Sequence, residues 1–77
     1  MYSKDERRKA KIRELEAEKQ RLLVESQSIA RRRQGLVKSG IRIDAPEVQK
    51  VIRDAYVNQR ALLGVEVALE SARRMRL

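Results

Sequence analysis

Apolar residues recur along this chain at the three- and four-residue spacing of a helix face, in two long segments with one break between them. In the first segment Ile12, Leu15, Leu22, Ile29 and Leu36 form a stripe, and Leu23, Ala30 and Val37 widen it on one side. Lys19, Ser26 and Arg33 hold positions that a strict coiled coil would fill with apolar residues, so this seam is narrow. In the second segment Val48, Val51, Ile52, Ala55, Leu62, Val65, Leu69 and Ala72 form the main stripe. Ile52, Tyr56, Leu63 and Val67 make a second seam beside it, with Gln59, Glu66 and Glu70 running between the two. One broad stripe would not carry a polar line down its centre; two seams serving two partners would. Ala61, Gly64, Ala68 and Ala72 add a line of small side chains, which lets another helix backbone come close.

The break lies at residues 39–47. Gly40 can take the left-handed conformation that ends a helix. Pro46 is tolerated in a first helical turn, where its missing N–H has no intrahelical partner to lose. Asp44 is the expected N-cap, with Glu47 completing a capping box and Ile43 stapled to Val48. Ile41 and Ile43 are expected to close the end of the core. At the other terminus Ser3 is the expected N-cap, with Glu6 three residues on. Gly35 is a weak point through which the helix is expected to continue to Lys38.

These signals predict an all-α chain: one domain over residues 1–77, an antiparallel hairpin with helix 4–38, turn 39–44 and helix 45–76. At ~1.5 Å per residue each helix is about 50 Å long. A pair this thin, with no disulfide or metal to staple it, supplies little net stability. The hairpin is therefore expected to pack into an oligomeric bundle or larger assembly. The expected packing residues are Ile12, Leu15, Leu22, Ile29, Val51, Ile52, Tyr56, Leu62, Leu63, Val65, Val67 and Leu69.

Composition narrows the chemistry. The chain has no Cys, His or Trp, which removes disulfides, thiolate sites and the commonest general base. Glu14, Glu16 and Glu18 alternate at spacing two and so point to different sides of a helix. Ser26 and Ser28 have no histidine to activate them, and no phosphate loop is present. We expect no enzyme activity, no cofactor and no metal site. The amino terminus lacks the apolar core of a signal peptide, so the expected location is the cytoplasm or a particle assembled there. The longest apolar-rich run, residues 61–69, falls far short of a membrane span.

The net charge is +8, from 19 Lys and Arg against 11 Asp and Glu. A small chain this basic usually meets an acidic partner. Folding at Gly40 gathers Arg7, Arg8, Lys9, Lys11 and Arg13 with Arg73, Arg74 and Arg76 at the open end of the hairpin. Arg31, Arg32, Arg33, Lys38 and Arg42, with Lys50 and Arg53, gather at the closed end. The waist between them is net acidic. Such clusters suit phosphate contacts, which need cations but no fixed spacing. Arg31, Arg32 and Arg33 cannot share one direction on a helix and form a collar. With Tyr2 and Tyr56 the only aromatics, base stacking on an aromatic platform is not expected.

In outline the chain resembles small bundle-forming adaptors and minor components of nucleoprotein particles such as virions. Three function classes follow. The first is a structural subunit that packs through helix seams, with itself or with other protein subunits, while its basic ends touch DNA or RNA without sequence preference. The second is a small adaptor or regulator on an acidic protein, such as a component of a nucleic-acid-processing machine. The third, a membrane-surface helix, ranks last: the apolar stripe of the first helix lacks Trp and Phe, and its acidic waist opposes anionic lipid.

Overall fold

The computed structural model describes residues 3–74. Helix α1 spans Lys4–Lys38 and helix α2 spans Pro46–Arg74. They pack antiparallel into a rod of 56 × 17 × 15 Å, an all-α helical hairpin. Arg76 and the expected last turn of the second helix lie outside the described residues.

Local chemistry sets the ends. Ser3 is extended (φ −69°, ψ 163°), and its Oγ accepts from the Glu6 N–H at 3.2 Å, capping the first turn of α1. Asp5 and Glu6 lie in that turn, against the positive end of the helix dipole. The helix runs through Gly35 and stops where Gly40 turns left-handed at φ 71°. The orphan carbonyls of the last turn are taken up locally. The Ser39 N–H donates to Gly35 O and the Gly40 N–H to Val37 O, each at 3.1 Å. Ser39 Oγ donates to Leu36 O at 2.7 Å.

The start of α2 differs from expectation by one residue. Ala45, not Asp44, is the N-cap: its carbonyl accepts from the Val48 and Gln49 N–H groups at 3.1 Å each. The cause is Pro46. A proline excludes its predecessor from the helical region, so residue 45 must stay outside the helix and Pro46 becomes the first helical residue. Asp44 is displaced one step upstream, where it pairs with Arg42 at 3.2 Å instead of completing a capping box with Glu47. Gln49 Nε2 takes over the tethering by donating to Ile43 O at 2.9 Å. Of the two isoleucines expected to close the core, Ile41 is half-buried, whereas Ile43 is 76% exposed. Ile43 therefore forms no buried staple with Val48.

The core is one seam. Leu22, Ile29, Val51, Leu69 and Ala72 are its buried apolar members. Ile12, Leu15, Leu36, Val48, Ala55, Leu62 and Val65 flank them, half-buried. In α2 the seam follows strict sevenfold spacing, Val48–Ala55–Leu62–Leu69 beside Val51–Asn58–Val65–Ala72. Asn58 interrupts it. That residue is 5% exposed, and its Nδ2 donates to the Leu22 carbonyl oxygen of α1 at 3.0 Å. A buried amide demands such a partner, and the Leu22 carbonyl supplies it.

Two predictions follow from this packing. Ile29→Ala removes a buried side chain from a core with few others and should destabilise the hairpin by about 2–4 kcal/mol, whereas Val67→Ala, on the exposed side of α2, should change stability by no more than about 0.5 kcal/mol. Thermal melts followed by circular dichroism compare the two. A Cβ added at Gly35 meets nothing within 4 Å, so Gly35→Ala should stabilise the hairpin by about 0.5–1 kcal/mol through helix propensity alone, seen as a higher melting temperature.

Candidate functional site

With one seam closed, the second seam of α2 is left open. Ile52, Tyr56, Leu63 and Val67 are exposed by 50%, 62%, 53% and 66%. On α1 Leu23 is at the margin, and Val24 and Val37 are exposed. The small-residue line is not used for close approach inside the hairpin. Ala72 is buried in the seam and Ala61 and Ala68 flank it, but a Cβ added at Gly64 meets nothing within 4 Å.

On one side of the rod, toward the turn, the helices part enough to leave a trough. One hollow of about 760 Å³ is lined by Ser26, Ile29, Ala30, Arg33, Gln34, Val37, Lys38, Ala55, Asn58, Gln59 and Leu62. A second of about 570 Å³ is lined by Leu36, Ile41, Ile43, Val48, Val51, Ile52 and Tyr56, and shares Arg33, Val37, Ala55 and Gln59 with the first. The shared residues make them one continuous depression. Its floor is mostly aliphatic, its only charged lining residues are Arg33 and Lys38, and no carboxylate lines it. Arg60 stands over the Tyr56 ring, 6.0 Å from its centroid.

The charges separate into two populations. Away from the turn most cations have a carboxylate partner, Lys4, Arg7, Arg13 and Arg60 being in no ion pair among the described residues. Glu16 accepts from Arg73 at 3.0 Å and Lys19 approaches Glu66 at 4.0 Å, both pairs crossing between the helices. Glu70 pairs with Arg74, Glu18 with Arg21, Glu14 with Lys11, and Asp5 with Arg8 and Lys9. The Glu18 carboxylate, accepting from Arg21, raises that guanidinium above its ordinary range. Near the turn Arg32 reaches Asp54 at 2.9 Å and Arg42 reaches Asp44. Arg31, Arg33, Lys38, Lys50 and Arg53 make no ion pair among the described residues.

Each expected contact residue therefore has a definite place. The arginine collar splits: Arg32 is held across the helices, Arg33 lines the trough, and Arg31 is exposed. In the open-end cluster Arg8, Lys9, Lys11, Arg73 and Arg74 are paired, leaving Arg7 and Arg13 without a salt bridge among the described residues. Asn58 is the residue that pattern reading passes over, although the sevenfold spacing that carries Val51, Val65 and Ala72 runs straight through it. Among the described residues no group of three or more carboxylate, His or Cys side chains could hold a metal, and no helix is long and apolar enough to cross a membrane.

Comparison with family models, with characterised proteins and with solved structures finds no match to this chain.

The two charge populations should behave differently toward a polyanion. Neutralising Arg31 and Arg53 to Gln should lower the salt needed to elute the protein from heparin more than neutralising Arg73 and Arg74, whose carboxylate partners already compete for them. Elution conductivity of the two double variants checks this.

Proposed function

We propose that the protein is a non-enzymatic assembly subunit. It packs by helix–helix contacts into a multi-subunit, nucleoprotein-like complex, and its basic ends touch the DNA or RNA backbone without reading sequence. The observation that carries this reading is the uncovered second seam: four large side chains of α2, each at least half exposed, on a rod whose own core has five buried apolar residues. Contiguous apolar surface on so small a protein is a site of contact with other protein.

The unpaired cations near the turn supply the other half. Arg31, Lys50 and Arg53 lie outside the trough lining and outside every ion pair among the described residues, so they are available to phosphate oxygens. A regular helical rod with cations around one end and no aromatic platform suits backbone contact better than base recognition.

Sedimentation velocity with and without a random-sequence DNA duplex tests both halves. The protein alone should run heavier than its 9.0 kDa chain at micromolar concentration. Duplex affinity should be independent of sequence and should fall with salt, the logarithmic slope being about −0.9 per phosphate neutralised. A folded 9.0 kDa monomer would defeat the assembly half, and salt-independent affinity would defeat the nucleic-acid half.

A further inference from the structure

We infer that the trough beside the turn is the docking groove for an acidic amphipathic helix of a different subunit. The inference rests on the reading of the uncovered face as an assembly face, and it names what covers the half nearest the turn.

Three observations carry it. The first is shape. The depression follows α1 from Ser26 to Lys38, twelve steps of ~1.5 Å, so it is about 18 Å long and holds about three helical turns. The second is the floor. Val37, Ile43, Ile52 and Tyr56 offer partly exposed apolar area along the groove, the pattern that takes residues at i, i+3, i+4 and i+7 of an incoming helix. A phosphodiester backbone has no use for that floor. The third is charge. Arg33 and Lys38 line the groove with no ion-pair partner among the described residues, and no Asp or Glu lines it.

Charge also decides between a second copy and a different subunit. A second copy brings another net charge of +8. The carboxylates it shows on the rest of this side, Glu16, Glu66 and Glu70, are already paired with Arg73, Lys19 and Arg74, and those in no ion pair among the described residues, Glu6, Glu25 and Glu47, lie singly on two helices and flank no common apolar stripe. A helix with an apolar stripe flanked by Glu or Asp instead meets two cations that have no other partner. Desolvating Arg33 and Lys38 under an apolar or basic helix would strand them, so the groove selects against those partners.

The test uses the full chain and synthetic helical peptides of about twenty residues, with Leu on one stripe and either Glu or Lys on its flanks. Binding is read by fluorescence anisotropy. The Glu-flanked peptide should bind at least tenfold more tightly than the Lys-flanked one. In Arg33→Glu/Lys38→Glu that preference should reverse. Val37→Asp/Ile52→Asp should weaken binding at least tenfold while the circular dichroism melt of the free chain stays in place. Equal affinity for the two peptides, or no binding of either, would overturn the inference. So would equal binding of a Glu-rich peptide without the Leu stripe, or a self-association that Val37→Asp/Ile52→Asp abolishes and that the peptide cannot displace. An oligo(dT) strand that displaces the peptide and loses affinity in Val37→Asp/Ile52→Asp would assign the groove to nucleic acid and overturn it as well. Duplex binding and assembly without peptide binding would remove this occupant and leave the proposed function standing. Peptide binding without duplex binding would do the reverse.

Discussion

A helix in an antiparallel pair can cover only the stripe that faces its neighbour. Everything unusual about this chain follows from that limit. The pair closes one seam, Leu22 and Ile29 against Val51, Leu69 and Ala72, and every other apolar side chain among the described residues is left at its margin or in the open. A third helix, from whatever source, could bury Ile52, Tyr56 and Leu63 together without breaking the seam already made. In the proposed assembly, that exposed seam is the side a neighbouring subunit covers.

Within the seam, apolar contact alone would leave the register loose. Sevenfold spacing looks much the same after a slip of one heptad, and neither stripe is distinctive enough to forbid it. The short connection between Lys38 and Pro46 holds the two helices in one register, and there the buried Asn58 amide finds its acceptor in the Leu22 carbonyl. With its bond to Leu22 O in place, Arg32 falls opposite Asp54, Lys19 near Glu66 and Glu16 near Arg73. Those cross-helix pairs are exposed and individually weak. Their weight is collective: a slipped register would misalign all three.

How much of this is written in the sequence depends on the range of the physics. Gly40 is legible because a left-handed residue at a helix end is a strictly local demand, and the hairpin follows from it. The N-terminus of α2 is harder to read because two local signals compete. Asp44 favours capping, Pro46 forbids helix at the residue before it, and the steric rule prevails over a hydrogen-bond preference of about a kilocalorie. Ile43 reads as closing the end of the core together with Ile41, but its backbone carbonyl is engaged by Gln49 and its side chain stays exposed. The uncovered second seam was visible in advance, because Gln59, Glu66 and Glu70 divide it from the first. Asn58 was not, since periodicity counts apolar residues and a buried amide looks like a gap.

The charge map shows most clearly what lies beyond local reading. Chain folding brings Arg73 beside the amino-terminal half of α1 and Arg33 beside α2, and both belong to basic clusters of similar composition. What separates them is the register in which the two helices pack. It lays Glu16 and Glu66 within reach of Arg73 and Lys19 but puts only apolar and amide side chains beside Arg33 and Lys38. A cation whose carboxylate is supplied by its own fold has its field largely spent. One left beside an apolar trough keeps it, at the edge of surface that would leave water on contact. Burying apolar area while desolvating a cation is favourable only if the incoming surface carries the anion. On the proposed reading, the same arrangement that leaves one seam uncovered also sets the sign of the charge on the partner that would cover it.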